Sequence, residues 1–264
     1  LLKQSNWIRH KKPDPILNSQ TTKKMFQINF ILNDVVHSID IKKSETDKLA
    51  SDKSMIMQTY HFSIDQVLDK NIKNDSGNCF NCPFSFNQND GKSGGCYTHS
   101  GIIFLGLCAK LTSLNKLLLA GKIPNYSNQI IEQIKNKANK YSIDLLRLGT
   151  YGEAVTMPFD FISQLVLLAK KHTAYTHLWH IDEYSEYKSY FMASTDNFLL
   201  SKIAKDKKWR VFEVGENNDS IQCPSDPIIP KDRRINCAKC GLCSGNKLGA
   251  KSIYINKHGK KVKQ

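Results

Sequence analysis

The sequence predicts an α/β protein with a full or partial β/α barrel-like core and cysteine-rich metal-binding loops. Three observations lead there. From residue 144 onward, short apolar strand-like runs alternate with amphipathic helical stretches, the pattern of parallel strands joined by right-handed crossovers. Seven of the eight cysteines fall into two compact sets. The polar groups of the chain, including the first cysteine loop, Gly152-Glu153, Ser194-Thr195-Asp196 and Cys223, fall at the expected C-terminal ends of strands, where β/α barrels keep their working groups.

The elements follow in order. Met25 to Leu32 is a strand-like apolar run inside an N-terminal extension, residues 1–50. The core, residues 51–222, opens on a strand from Met55 to Phe62. Asn74 to Gly95 is a long polar loop that ligand cysteines would order. Gly101 to Ala120 is helical and carries Cys108 among leucines, a setting in which a thiol serves as a small apolar residue. Ser127 caps a helix with Ile130, Ile131, Ile134 and Ala138 on one face. Asp144 to Thr150 is a strand, and Pro158 opens a helix with Phe159, Ile162, Leu165, Val166 and Ala169 at helical spacing. Ala174 to His180 and Tyr190 to Ser194 are strands, with a helix starting near Thr195 or Asp196. Trp209 to Val214, Ser220 to Cys223 and Ser252 to Asn256 complete the set, the last within a basic cysteine-rich module, residues 223–264, packed on the core.

Composition narrows the function classes. The 264 residues are 40% apolar and 23% charged, ordinary for a folded soluble domain. The longest apolar run, Ile102 to Ala109, is about half of the roughly 18 residues a membrane span needs. With no signal-peptide layout, a cytoplasmic protein without membrane contact is expected. The net charge is +14, and residues 231–264 hold ten Lys and Arg against one acid, Asp232. Such a surface attracts polyanions, so nucleic acid is the expected partner class; a plain solvated surface is the alternative. No Walker loop, dinucleotide glycine signature or serine nucleophile elbow is present.

The cysteine spacing carries the chemistry. Without a secretory signal, clustered thiols are read as metal ligands before disulfides. Cys223-Pro224, then Cys237-x2-Cys240-x2-Cys243, follows the ligand grammar of a [4Fe–4S] cluster, with structural zinc as the alternative. Cys79-x2-Cys82-x13-Cys96 supplies three thiols. Either His99 completes a Cys3His zinc site, or the trio holds a cubane whose fourth iron takes a small molecule such as S-adenosylmethionine. His177 and His180 would point to opposite faces of a strand and so cannot share an ion. His177 is then an acid or base at the barrel mouth, or a hydrogen-bonded core histidine.

Gly152-Glu153, closing the strand Leu145–Gly149, resembles the Gly-Gly-Glu-Pro motif at the end of the second strand of radical S-adenosylmethionine enzymes. Tyr151 stands at its first glycine and Ala154 at its proline, and that superfamily's usual trio is C-x3-C-x2-C. The resemblance implies that Gly152 and Glu153 hold S-adenosylmethionine, with Ser194 near its ribose or carboxylate. Across most of its length the chain also resembles an uncharacterised family encoded by bacteriophages and plasmids. Matching blocks are Met55–Tyr60, Cys79–Pro83, Cys96-Tyr97, Arg147–Glu153, Tyr175–Trp179 and Cys240–Gly245. That implies a mobile-element origin and the host cytoplasm. In that family the residue three after the third cysteine is not a fixed histidine, which weighs against His99 as a ligand.

Overall fold

The computed structural model describes residues 25–44, 46–51, 54–80, 82–91, 96–99, 101–215, 219–247 and 249–256. The remainder of the expected N-terminal extension and of the basic C-terminal tail lies outside the described residues.

Residues 25–43, expected as an extension, build two strands of the first sheet. β1 (Phe26–Leu32) and β2 (Val35–Lys43) form a hairpin across Asn33 and Asp34, both at positive φ (48° and 59°). Such a two-residue turn matches the twist of the strands, and Asn and Asp are the side chains that tolerate it. β2 lies antiparallel to β3 (Met55–Ser63). The Ser63 hydroxyl accepts from Gln66 N at 3.2 Å and so starts α1 (Ile64–Asp69). After α2 (Ser76–Cys79) come α3 (Gly101–Leu119) and α4 (Asn128–Ala138). β4 (Ile143–Tyr151) then pairs parallel with β3. Following α5 (Phe159–Leu167), β5 (His172–Thr173) pairs parallel with β4 and ends the first sheet, whose order is β1-β2-β3-β4-β5.

One residue later, β6 (Tyr175–Thr176) opens the second sheet. It continues with β7 (Met192–Thr195), α6 (Phe198–Asp206), β8 (Val211–Val214), β9 (Ile221–Gln222), α7 (Cys237–Cys240) and β10 (Ile253–Ile255). All pairings here are parallel, in the order β6-β7-β8-β10-β9. The protein is therefore of mixed α/β class. Among the described residues no pairing joins the edge strands into a closed barrel. The reason is local: β2 occupies the edge of β3 that a closing strand would need.

Several expected boundaries move. The strand expected over 174–180 stops at Thr176, because the Thr176 hydroxyl accepts from Leu178 N at 3.0 Å and turns the chain into a short 3₁₀ segment, Leu178–His180. His177 and His180 are thus not strand residues, and the face argument that separated them does not apply. The next helix begins at Phe198, since Asn197 rather than Thr195 or Asp196 accepts from Leu200 N (2.9 Å).

The core has two main parts. On one face of the first sheet, Phe30, Ile39, Met57 and Leu146 pack against Ile134 of α4 and Phe161 of α5. On the other, Tyr60, Phe62 and Tyr151 meet Leu107, Leu111 and Leu114 of α3. By length and composition α3 is apolar enough to cross a membrane, more than its short run Ile102–Ala109 suggested. Lys110 nevertheless reaches inward from α3 to a buried ion pair with Asp40, which ties this helix to the sheet.

Two buried histidines tune the pH response. His37 Nδ1 and His61 Nδ1 lie 2.8 Å apart, so one ring must offer a lone pair and stay neutral. Burial pushes His37 down to about 3, and burial together with His37 holds His61 well below its usual range. Below pH ~6.5 the unfolded chain binds protons that the folded pair refuses, so the pair's stability is present above that pH and lost as pH falls. Between pH 7 and 5 the expected loss is about 2–4 kcal/mol, read from urea unfolding. The His37→Phe variant should have a shallower slope; an unchanged slope would contradict this assignment.

Candidate metal centres

Three chain ends meet at the first centre. The loop leaving β3 and α1 carries Cys79 at the end of α2, Cys82 after one tight turn, and Cys96 before a turn containing Thr98 and His99. The turn between the first two thiols is strained: Phe80 sits at φ 46°, a region that costs a bulky residue about 1–3 kcal/mol. Cys82 N–H to Cys79 O (2.9 Å) holds it. Asp75 ties down the loop, accepting from Phe86 N (2.7 Å) and Asn87 N (2.8 Å). β4 delivers Gly152 and Glu153, and β6 delivers His177.

Gly152 is needed for packing. It lies at φ 74°, and a Cβ there would stand 2.5 Å from the His61 carbonyl oxygen. Glu153 is buried and fully engaged. Oε1 accepts from His177 N and lies 3.0 Å from His177 Nδ1, while Oε2 accepts from the Thr176 hydroxyl at 2.7 Å. Its backbone N–H donates to Asn78 O at 2.8 Å. The other imidazole nitrogen, His177 Nε2, lies 3.7 Å from Cys82 Sγ. Cys96 Sγ is 3.0 Å from Thr98 Oγ1, and Asn78 Nδ2 reaches Cys79 Sγ at 3.6 Å.

Burial dominates the electrostatics of Cys79 and Cys96. Burial raises Cys79 well above a free thiol, and Cys82, Asp75, Cys96 and Glu153 add to the rise. Burial also raises Cys96, with a smaller upward push from Cys82 and relief from Thr98. Burial alone would lower His177, but Cys82 and Glu153 outweigh it and hold the imidazole well above its usual value.

The second centre rests against the opposite ends of β3 and β4. Cys237 and Ala238 pack on Leu49, Ala50, Ile56 and Leu145. Asn236 caps α7 through Lys239 N (2.9 Å), and Cys237 N donates to Lys48 O (2.9 Å). Cys223 follows β9, its N–H on Tyr254 O at 2.7 Å, and Cys243 O accepts from Ala174 N at 3.0 Å. Arg210 fastens this loop through the carbonyls of Leu242, Gly245 and Lys251. Burial pushes Cys223 up to about 11 and Cys243 up to about 12, the neighbouring thiols of the set adding to both. Burial raises Cys237 as well, against an opposing pull from Arg147 and Lys48. Thiolates are donors for metals of the zinc and iron–sulfur classes, so both sets are candidate donor sets.

No family model, curated protein or solved structure matches this chain.

All eight cysteines are free thiols, so neither set is paired into disulfides. Among the described residues no three His, Cys, Asp or Glu donors already stand together as a metal site; the nearest approach is the Cys82–His177 pair. His99 faces other partners: its ring stacks on Phe86 (3.8 Å between centroids) and its Nε2 lies 4.0 Å from Asp75. Ser194 sits at the end of β7, where its carbonyl accepts from the Trp179 indole at 3.1 Å. His180 turns back onto the His177 carbonyl (3.0 Å). Residue spacing missed Asp75, Thr98, Tyr175 and Arg210. Asp75, Tyr175 and Arg210 touch or tie down thiol-bearing loops through partners remote in sequence, for which spacing carries no signal, whereas Thr98 stands two residues from Cys96.

Proposed function

We propose that the chain is an iron–sulfur enzyme of the radical S-adenosylmethionine type that acts on nucleic acid or a nucleotide. The observation that carries the reading is that Cys82, one tight turn after Cys79, stands beside His177 and Glu153 where β4 and β6 end. β3 and β4 begin the parallel run, so Gly152-Glu153 closes its second strand, the place of the motif it resembles. The run continues into β5, and the parallel strands β6, β7 and β8 of the second sheet follow it; we read the two together as an open, partial barrel with its working groups at one mouth.

Three thiolates hold a cubane and leave one iron for a small molecule. Bound there, the cluster would supply the electron that cleaves S-adenosylmethionine reductively. The chain's own residues shape the mouth: Glu153 fixes Thr176 and His177, and Ser194 lies at the end of β7 on the same side of the strands. Cys223, Cys237, Cys240 and Cys243 would hold a second, structural or electron-relaying cluster. Lys48, Lys171 and Lys239 lie around it, which suits a polyanionic partner, in the cytoplasm of a host cell if the chain is of mobile-element origin.

The test is anaerobic purification with metal and sulfide analysis. Iron, sulfide, broad visible absorbance and reductive cleavage of S-adenosylmethionine are expected. Cys96→Ala should abolish the cleavage while keeping the absorbance of the second centre. A colourless protein with stoichiometric zinc would replace this reading with that of a zinc-stabilised nucleic-acid-binding protein without catalysis.

A further inference from the structure

We infer that His177 is a protein ligand of the first centre, giving the donor set Cys79, Cys82, Cys96 and His177, with Glu153 as the positioning residue for the imidazole. The inference rests on the reading above only in taking the three thiols as metal ligands.

Two distances carry it. A metal bound at ~2.0–2.1 Å to a histidine nitrogen and at ~2.3 Å to a cysteine sulfur, with a tetrahedral angle between them, holds those donors about 3.6 Å apart. His177 Nε2 and Cys82 Sγ are 3.7 Å apart. Metal-binding histidines almost always place their other ring nitrogen on a carboxylate, carbonyl or water, which fixes tautomer and orientation. His177 Nδ1 lies 3.0 Å from Glu153 Oε1, so Nδ1 keeps its proton and Nε2, which faces the sulfur, is the nitrogen that gives up its proton when an ion enters. The carboxylate cannot swing away, because Thr176 Oγ1 and His177 N hold it as well.

The rival histidine is placed for packing. His99, which has the attractive sequence spacing from Cys96, stacks on Phe86 and faces Asp75. To complete the set, Cys79 and Cys96 must exchange their bonds to Asn78 and Thr98 for the ion. The donor spacing is that of one ion of the zinc class.

The full chain loaded with cadmium and carrying nitrogen-labelled histidine tests this by cadmium NMR. Two resonances are expected, one in the four-thiolate range and one in the range of three thiolates and a nitrogen. The second should be split by a histidine nitrogen. His177→Ala should remove the splitting, His177→Cys should move the resonance into the four-thiolate range, and His99→Ala should change neither. Glu153→Gln should weaken cadmium binding at this centre about 10–100-fold. Two sulfur-only resonances in the unmodified chain, or a splitting that survives His177→Ala, would overturn the inference and leave the thiol reading intact. Failure of cadmium to bind the thiols would overturn both.

Discussion

Asp40→Ala is expected to destabilise the protein by about 3–5 kcal/mol, the cost of breaking a buried ion pair by removing one partner. Asp40 lies in β2 with 2% of its surface exposed, and Lys110 of α3 donates to both of its carboxylate oxygens at 2.9 Å. The ammonium also stands 4.4 Å from the centre of the Tyr60 ring. Without Asp40 this charge remains between sheet and helix in a dry site, and α3 must shift to hydrate it. Removing both charges is different: Asp40→Leu with Lys110→Met should recover most of the loss, since a buried pair often does little better than well-packed apolar residues. Urea unfolding of the two single variants and the double variant measures the coupling. A loss below about 1 kcal/mol for Asp40→Ala would mean that water reaches the pair.

Glu153→Ala should cost a similar amount, about 3–5 kcal/mol in the metal-free protein. Three donors converge on this carboxylate, from Thr176 Oγ1, His177 N and His177 Nδ1, and all three would be left without it. The damage should concentrate at the mouth: hydrogen exchange should speed up over residues 175–180 and change little in β1 and β2. Glu153→Gln keeps an acceptor for His177, and the Thr176 hydroxyl can turn to accept from the amide, so about 1–2 kcal/mol is expected. Equal losses for the two variants would show that the charge, and not the hydrogen-bond count, is what the site needs.

Element existence was largely legible in the sequence. The runs Met55–Phe62, Gly101–Ala120 and Ile130–Ala138 carry strong local patterns, and each forms the expected element. The errors lie where one side chain competes with the backbone. Thr176 ends its strand by accepting from Leu178 N, and this moved His177 out of the two-sided geometry assumed for it. The antiparallel β1–β2 pair was also hidden. A strand's pattern says which face is buried but not which edge it will occupy, and β2 took the edge of β3 that barrel closure would have used.

The sequence by itself determined the inventory of the two centres: seven thiols, in groups of three and four, on loops that follow strands. Those facts are local, set by spacing along the chain. Only the tertiary structure decided which other groups stand beside the thiols. His99 is three residues from Cys96 yet is spent on Phe86 and Asp75, whereas His177, 95 residues from Cys82, lies 3.7 Å from its sulfur. The reason is that β4 and β6, strands of different sheets, end close together and bring Glu153 and His177 into contact, a proximity that no sequence interval encodes.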